Sequence, residues 1–158
     1  MAQLEIQFPD NSIVDRMCSS AMALKASKLI RHQSVDVEAF GPSTTVVALT
    51  RDIHIVRGAA GTLVGLQAAI CGAIATGADR TVTVDLQKST GAGAFATVLS
   101  STIGFTNASV LRTALSAVFS STSLVAGDIL RLVITVAGAA GAQATGLLVT
   151  LTMEETYA

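Results

Sequence analysis

Three stretches of this chain alternate apolar and polar residues with a period of two, and that period constrains the fold more than any other feature. In RTVTVDLQK, Val82, Val84 and Leu86 fall on one side of an extended chain, with Thr81, Thr83, Asp85 and Gln87 on the other. Leu130, Leu132, Ile134 and Val136 repeat the pattern, as do Leu147, Val149, Leu151 and Met153. Successive side chains of a strand point to opposite faces, so each run buries one face and presents the other. Turn signals punctuate the same region: STGAGAF at 89–95, Ala126-Gly127-Asp128, and AGAAGAQATG, which reads as a glycine-rich hairpin loop joining the last two strands. Short strands with recurrent turns predict an all-β sandwich or barrel.

Two segments are less regular. TTVVALT and DIHIVR read as consecutive strands, with Ile53 and Ile55 on one face and His54 and Val56 on the other. In NASVLRTALSAVF, Leu111, Leu115 and Phe119 lie four apart, as on a helix, yet they also share strand parity. The Ser/Thr-rich flanks and neighbouring strands favour a strand there.

Composition says what such a sandwich would show to its surroundings. Hydrophobic residues make up 51% and charged residues 13%, against about 25% charged in an average soluble domain. The polar surface must therefore come from Ser, Thr, Gln and backbone, an exterior suited to packing against other proteins. A net charge of -1 offers no general cationic field for nucleic acid or an anionic membrane. With 158 residues, one compact domain plus a tail is expected. The uncharged stretches 58–78 and 132–153 approach membrane-spanning length, but their internal glycines and Gln67 or Gln143 make them strands and loops. The start MAQLEIQFPDNS lacks the basic and apolar regions of a secretory signal, so the expected site of synthesis is the cytoplasm.

The chain changes character near Gly41-Pro42, which divides an N-terminal arm, 1–43, from a sandwich domain, 44–158. Arg16, Lys25, Lys28, Arg31 and His32 lie in the arm with no acidic residue between Arg16 and His32. Ile13, Met17, Ala21 and Leu24 follow helical spacing after the capping residues Asp10-Asn11-Ser12, which predicts a short helix over 12–25. From Ala26 the text alternates instead, with Val35, Val37 and Ala39 on one face of an extended segment. A solvated charged face is the plain reading of this cluster. The functional one is a tether, with Ile13, Arg16, Met17, Leu24, Lys25, Lys28, Leu29, Arg31 and His32 as candidate partner contacts.

Residues able to do chemistry are scarce. The two histidines, His32 and His54, stand apart, and no serine occupies a G-x-S-x-G elbow. Asp79, Asp85 and Asp128 are isolated, while Glu154 and Glu155 are adjacent strand residues that point opposite ways. His54, beside Asp52, reads as a rim or interface residue. Gly91-Ala92-Gly93-Ala94-Phe95-Ala96 echoes a dinucleotide loop, but a strand-like AFATVLSSTI follows where a helix is needed. Cys18, His32, His54 and Cys71 lack paired zinc spacing, no multi-Asp calcium loop exists, and Cys71 inside an apolar run reads as a buried thiol. The expectation is a protein with no metal, no cofactor and no catalytic site.

The run ADRTVTVDLQKSTGAGAFATVLSS, followed by SLVAGDILRLVITV and GLLVTLTMEE, resembles the β-sandwich proteins that decorate tailed-bacteriophage heads, the cement or head-stabilisation proteins. The resemblance spans about 44–156 and rests on strand order and turn chemistry, the AGD turn included. It implies a jelly-roll-like antiparallel sandwich and homotrimers seated on the outside of a capsid. It also implies arms that reach over the major capsid protein, a role residues 2–40 would fill, with neither nucleic acid nor membrane as partner. Similar sandwiches occur in phage fibres and tails, where the function would be binding a host glycan. The absence of Trp and the single Tyr157 argue against that alternative, because sugar faces are gripped by aromatic planes.

Overall fold

The alternating runs form two antiparallel sheets whose apolar faces meet. The computed structural model describes residues 30–74, 81–138 and 143–156. Its strands in chain order are β1 (Ile30–Thr45), β2 (Leu49–Ile55), β3 (Ala60–Gly72), β4 (Thr81–Ser89), β5 (Ala96–Thr97), β6 (Ile103–Phe105), β7 (Leu115–Ser116), β8 (Ser123–Val125), β9 (Ile129–Ala137) and β10 (Thr145–Thr156). One sheet, here sheet A, has the order β1-β10-β3-β7, with β8 also on β3; the other, sheet B, has the order β2-β9-β4-β5, with β6 also on β4. Each connection between the long strands β1, β2, β3 and β4, and that from β9 to β10, changes sheets, which makes the sandwich jelly-roll-like.

The core follows the predicted parity. Val82, Val84, Leu86, Leu130, Leu132, Leu147, Val149, Leu151 and Met153 have no accessible surface, and Ile134 is nearly as deep. Phe105, also fully buried, fills the end of the core under β4. Burying such side chains contributes on the order of 2 kcal/mol each, so period two in the sequence becomes the main source of cohesion. Among the described residues no helix is long and apolar enough to cross a membrane. The uncharged stretches hold β3 and much of β9 and β10.

Five expectations are corrected. AGAAGAQATG is not a hairpin loop, because β9 and β10 lie in different sheets and the chain crosses the sandwich between them. Its far end is pinned inside, where Gln143 is buried and its Nε2 donates to Ala137 O at 2.8 Å. TTVVALT is not one strand: β1 ends at Thr45, fully buried Val46 turns the corner with its N–H on Ala144 O, and β2 begins at Leu49. Residues 107–119 contain only the two-residue β7 and a bridge at Phe119; the rest is irregular chain laid along the edge of β3. AFATVLSSTI is likewise broken into short pieces around β5 and β6. Cys71 is a free thiol, half-buried rather than buried.

Two features of the strands position everything below. β1 extends through Gly41-Pro42: residues 30–38 and Phe40 pair with β10 at one margin of sheet A, and after a register irregularity Thr45 pairs with Thr145. β2 carries a β-bulge between Asp52 and His54, which sets Arg51 opposite Leu132 and His54 opposite Leu130. In a regular strand Arg51 and Ile53 would share a face. The extra residue lets His54 take the inward position instead. Ile53 then packs partly on the core, Ile55 is 56% exposed, and Val56 is buried.

Candidate interaction surfaces

The outer faces of the two sheets are chemically unlike. On sheet B, Arg131 Nε donates to Asp52 Oδ1 at 2.7 Å, and its guanidinium lies 3.4 Å from the centroid of the Phe95 ring. Hydrogen bonding to Arg131 holds the Asp52 carboxyl below its ordinary value. Asp85 accepts from Thr97 Oγ1 and Gln87 Nε2. This face carries the cross-strand polar ladder expected of a surface in water.

On sheet A, the outward positions of β3 and β10 carry no charge from Thr62 to Cys71 or from Leu148 to Thr152. Val64 is 52% exposed, Leu148 46% and Val125 45%, with Thr62, Gln67, Thr150 and Thr152 around them. Among the described residues, charge on this face appears at Asp36 of β1, which accepts from Thr150 Oγ1 at 2.8 Å, and at the end of β10, where Glu154 Oε1 lies 3.2 Å from His32 Nδ1. Beside this face the chain after β6 projects Val110, 71% exposed, and Leu111. The next residue, Arg112, has a φ of 57°, a left-handed conformation that costs a non-glycine residue on the order of 1 kcal/mol. Its N–H donates to Ile70 O at 2.8 Å, which ties the projecting turn to the margin of β3. Ala114 and Leu148 then flank a shallow depression of about 200 Å³.

Two buried carboxylates brace the sandwich. Glu155 has no accessible surface, and the strand parity of Leu151 and Met153 sends it inward. Its Oε1 lies 2.6 Å from His54 Nε2, and its Oε2 accepts from Gly58 N at 2.9 Å and Arg57 N at 3.3 Å. A side chain at position 58 would meet Thr156 O at 2.8 Å, so glycine is what lets that N–H come close. Burial pushes the Glu155 carboxyl up. The His54 hydrogen bond, the Gly58 N–H, the charge of His54 and the Arg57 N–H outweigh it and hold the group below the usual glutamate range. Asp128, equally buried, accepts from Thr90 Oγ1 at 2.7 Å and Val125 N at 2.9 Å, and Lys88 Nζ lies 3.4 Å away. Burial raises this carboxyl too, and those three partners bring it below the ordinary aspartate value. Gly127, with a φ of 84°, makes the tight AGD turn that aims it.

Between the free margins of β1 and β2 the sandwich is open. A cavity of about 510 Å³ there is lined by Arg31, Gln33, Asp52, Ile53, His54, Ile55, Arg57 and Ile129. A second, of about 330 Å³, continues past Val35, Asp36, Val37, Arg51, Asp52 and Ile53.

Of the candidate contacts named from sequence, Ile13, Arg16, Met17, Leu24, Lys25, Lys28 and Leu29 lie outside the described residues, as do the helix over 12–25, Cys18 and Asp79. The structure separates the other two: Arg31 lines the open side, while His32 sits on the outer face with Glu154. His54, expected at a rim, is bound to Glu155, whose burial sequence reasoning did not anticipate. The signal was the continued parity of Leu151, Met153 and Glu155. Among the described residues no group of three His, Cys, Asp or Glu is arranged to hold a metal ion.

No family model matches the chain, and no curated protein matches it. Among solved structures, it is similar to the capsid of Ralstonia phage GP4, at 14% identity and a TM-score of 0.47, over 84% of this chain and 87% of that one. It is also similar to the N-terminal cellulose-binding domain of Cellulomonas fimi β-1,4-glucanase C, at 15% identity and a TM-score of 0.32, over 79% of this chain and 78% of the other.

Proposed function

We propose that this chain is a non-enzymatic structural protein of a phage virion, which seats as a trimer on the outside of the head and stabilises it. The observation that carries the reading is the outer face of sheet A, where Val64, Leu148 and Val125 stand exposed on a surface free of charge between β1 and β8. Apolar surface rimmed by hydroxyl and amide groups gains free energy when another protein covers it, and there is no charge to desolvate. The projecting Val110 and Leu111 extend that face sideways. The sequence resemblance to head-decoration proteins supplies the identity of the partner, the major capsid protein. The arm, with its cations between Arg16 and Arg31, supplies a tether. Three copies of a weak tether per trimer raise the effective concentration of each further contact.

The test is assembly. The intact chain is expected to be a trimer by native mass spectrometry and to sediment with phage heads assembled without it. Val64→Glu with Leu148→Glu places two carboxylates on the uncharged face and is expected to weaken attachment at least tenfold while leaving the circular dichroism spectrum unchanged. Removing residues 2–29 spares β1 and is expected to lower occupancy separately. A monomer indifferent to heads overturns the reading, and so does attachment that ignores both changes. The glycan-binding alternative finds no aromatic platform among the described residues: Phe105 is buried, Phe95 lies under Arg131, and Phe40 and Phe119 pack on the core.

A further inference from the structure

The open side of the sandwich has a different chemistry from sheet A's face, and it supports a separate inference. We propose that the trough between β1 and β2 is a docking site for an extended, carboxylate-bearing segment of another protein chain.

Charge is the first argument. Arg31, Arg51 and Arg57 line the trough, all three exposed, on a chain whose net charge is only -1. Of the acids around it, Asp52 is paired with Arg131 and Glu155 is bound to His54 and Gly58, while Asp36 accepts from the neutral Thr150 hydroxyl and keeps its charge. None of the three guanidinium groups forms an ion pair among the described residues, so three arginines set against the one carboxylate without a cationic partner, Asp36, leave the trough net cationic. Guanidinium groups bind carboxylates through paired, planar hydrogen bonds.

Shape is the second argument. Within the sheets β1 has β10 as its neighbour and β2 has β9, so both strands along the trough are sheet margins among the described residues. A margin offers main-chain donors and acceptors to an added strand, whose alternate side chains then enter pockets. From Arg31 to Val37 the trough follows β1 for a length that about six extended residues would match, at roughly 3.3 Å per residue. Its floor is apolar, with Ile53 and Ile129 half-buried and Ile55 exposed, which suits a segment alternating acidic and aliphatic residues. A nucleic acid strand would want stacking aromatics there, and the lining contains none. The bulge that turns His54 inward leaves Arg51 and Arg57 as the cations on the β2 side.

This surface is distinct from the face assigned to assembly, and the experiment tests it alone. Isotope-labelled full-length chain is titrated with a blocked hexapeptide of alternating glutamate and valine, with its lysine counterpart, and with an oligothymidylate of matching charge. Expected are saturable amide shifts along residues 31–37 and 51–57 with the glutamate peptide, at least tenfold weaker in Arg57→Glu and in Arg51→Glu, and weaker as salt rises. Equal binding of the lysine peptide, shifts confined to sheet A's outer face, or no saturable shift at millimolar peptide overturns the proposal. Tighter binding of the oligothymidylate overturns it as well and makes the trough a polyanion site. Retained trimers and retained attachment to heads in Arg57→Glu would show that the two surfaces act independently.

Discussion

Along the side where β5 and β7 approach, the two sheets are sewn together by main chain, whereas along the open side of β1 and β2 a buried carboxylate, Glu155, spans them among the described residues. On the sewn side Leu99 bridges Phe119, Ser100 N donates to Val118 O, and Ser120 N donates to Val98 O, both at 2.8 Å. On the open side Glu155 of sheet A reaches His54 of sheet B and the turn at 57–58. Backbone bonds are indifferent to side-chain identity and to ordinary pH, while a buried carboxylate depends on both. The sandwich therefore has one side closed by main chain and one to whose closure a buried side chain contributes.

The largest expected effect that would break this contrast comes from Glu155→Ala. It leaves His54 and two backbone N–H groups facing the interior without their acceptor, at a cost of about 3 kcal/mol, or a fall in Tm of roughly 6–12 °C. Hydrogen exchange should rise at Gly58 and spare Ser100 and Ser120. Equal loss of protection on both sides would erase the distinction. A smaller effect follows from pH. Because the folded-state values of Glu155 and Asp128 are depressed, their stabilising contribution is complete above the ordinary carboxylate range, about pH 4, and is lost as pH falls through the lower folded values. Thermal melts between pH 6 and pH 3 should show the decline, and Glu155→Gln should flatten it by about 1–2 kcal/mol. A slope unchanged in that variant would place the acid sensitivity elsewhere. The smallest effect is expected on the sewn side: Ser100→Ala and Ser120→Ala remove exposed hydroxyls from residues that contribute only main chain, and should change stability by less than about 0.5 kcal/mol in the same melts.

How far the sequence could be read follows the same divide. Period two is a local property, so β4, β9 and β10 and nearly all their buried residues were legible from Val82, Leu132 or Leu151 alone. Which strand neighbours which is not local. AGAAGAQATG has the chemistry of a hairpin, and only the placement of β9 and β10 in opposite sheets turns it into a crossing. The bulge at Ile53 escaped because a bulge leaves no mark in a parity count, and with it went the inward aim of His54. Glu155 was legible in principle, since it continues the buried parity of Met153, but a carboxylate two residues past a methionine reads as surface until its donors are known. The uncharged face of sheet A was visible only as a low overall charge. Gathering that scarcity onto one face, while Asp52, Arg131 and Asp85 collected on the other, is the work of the topology.

The place of β10 has a consequence in time as well as in space. It lies between β1 and β3, pairing with residues 30–45 on one flank and 60–72 on the other. During synthesis both flanking strands leave the ribosome long before their common neighbour, so sheet A has no middle until residue 156 has been made. Until then β1 and β3 carry apolar residues and open edges, and β3 has no charge to keep nascent chains apart. Folding of sheet A therefore waits for β10.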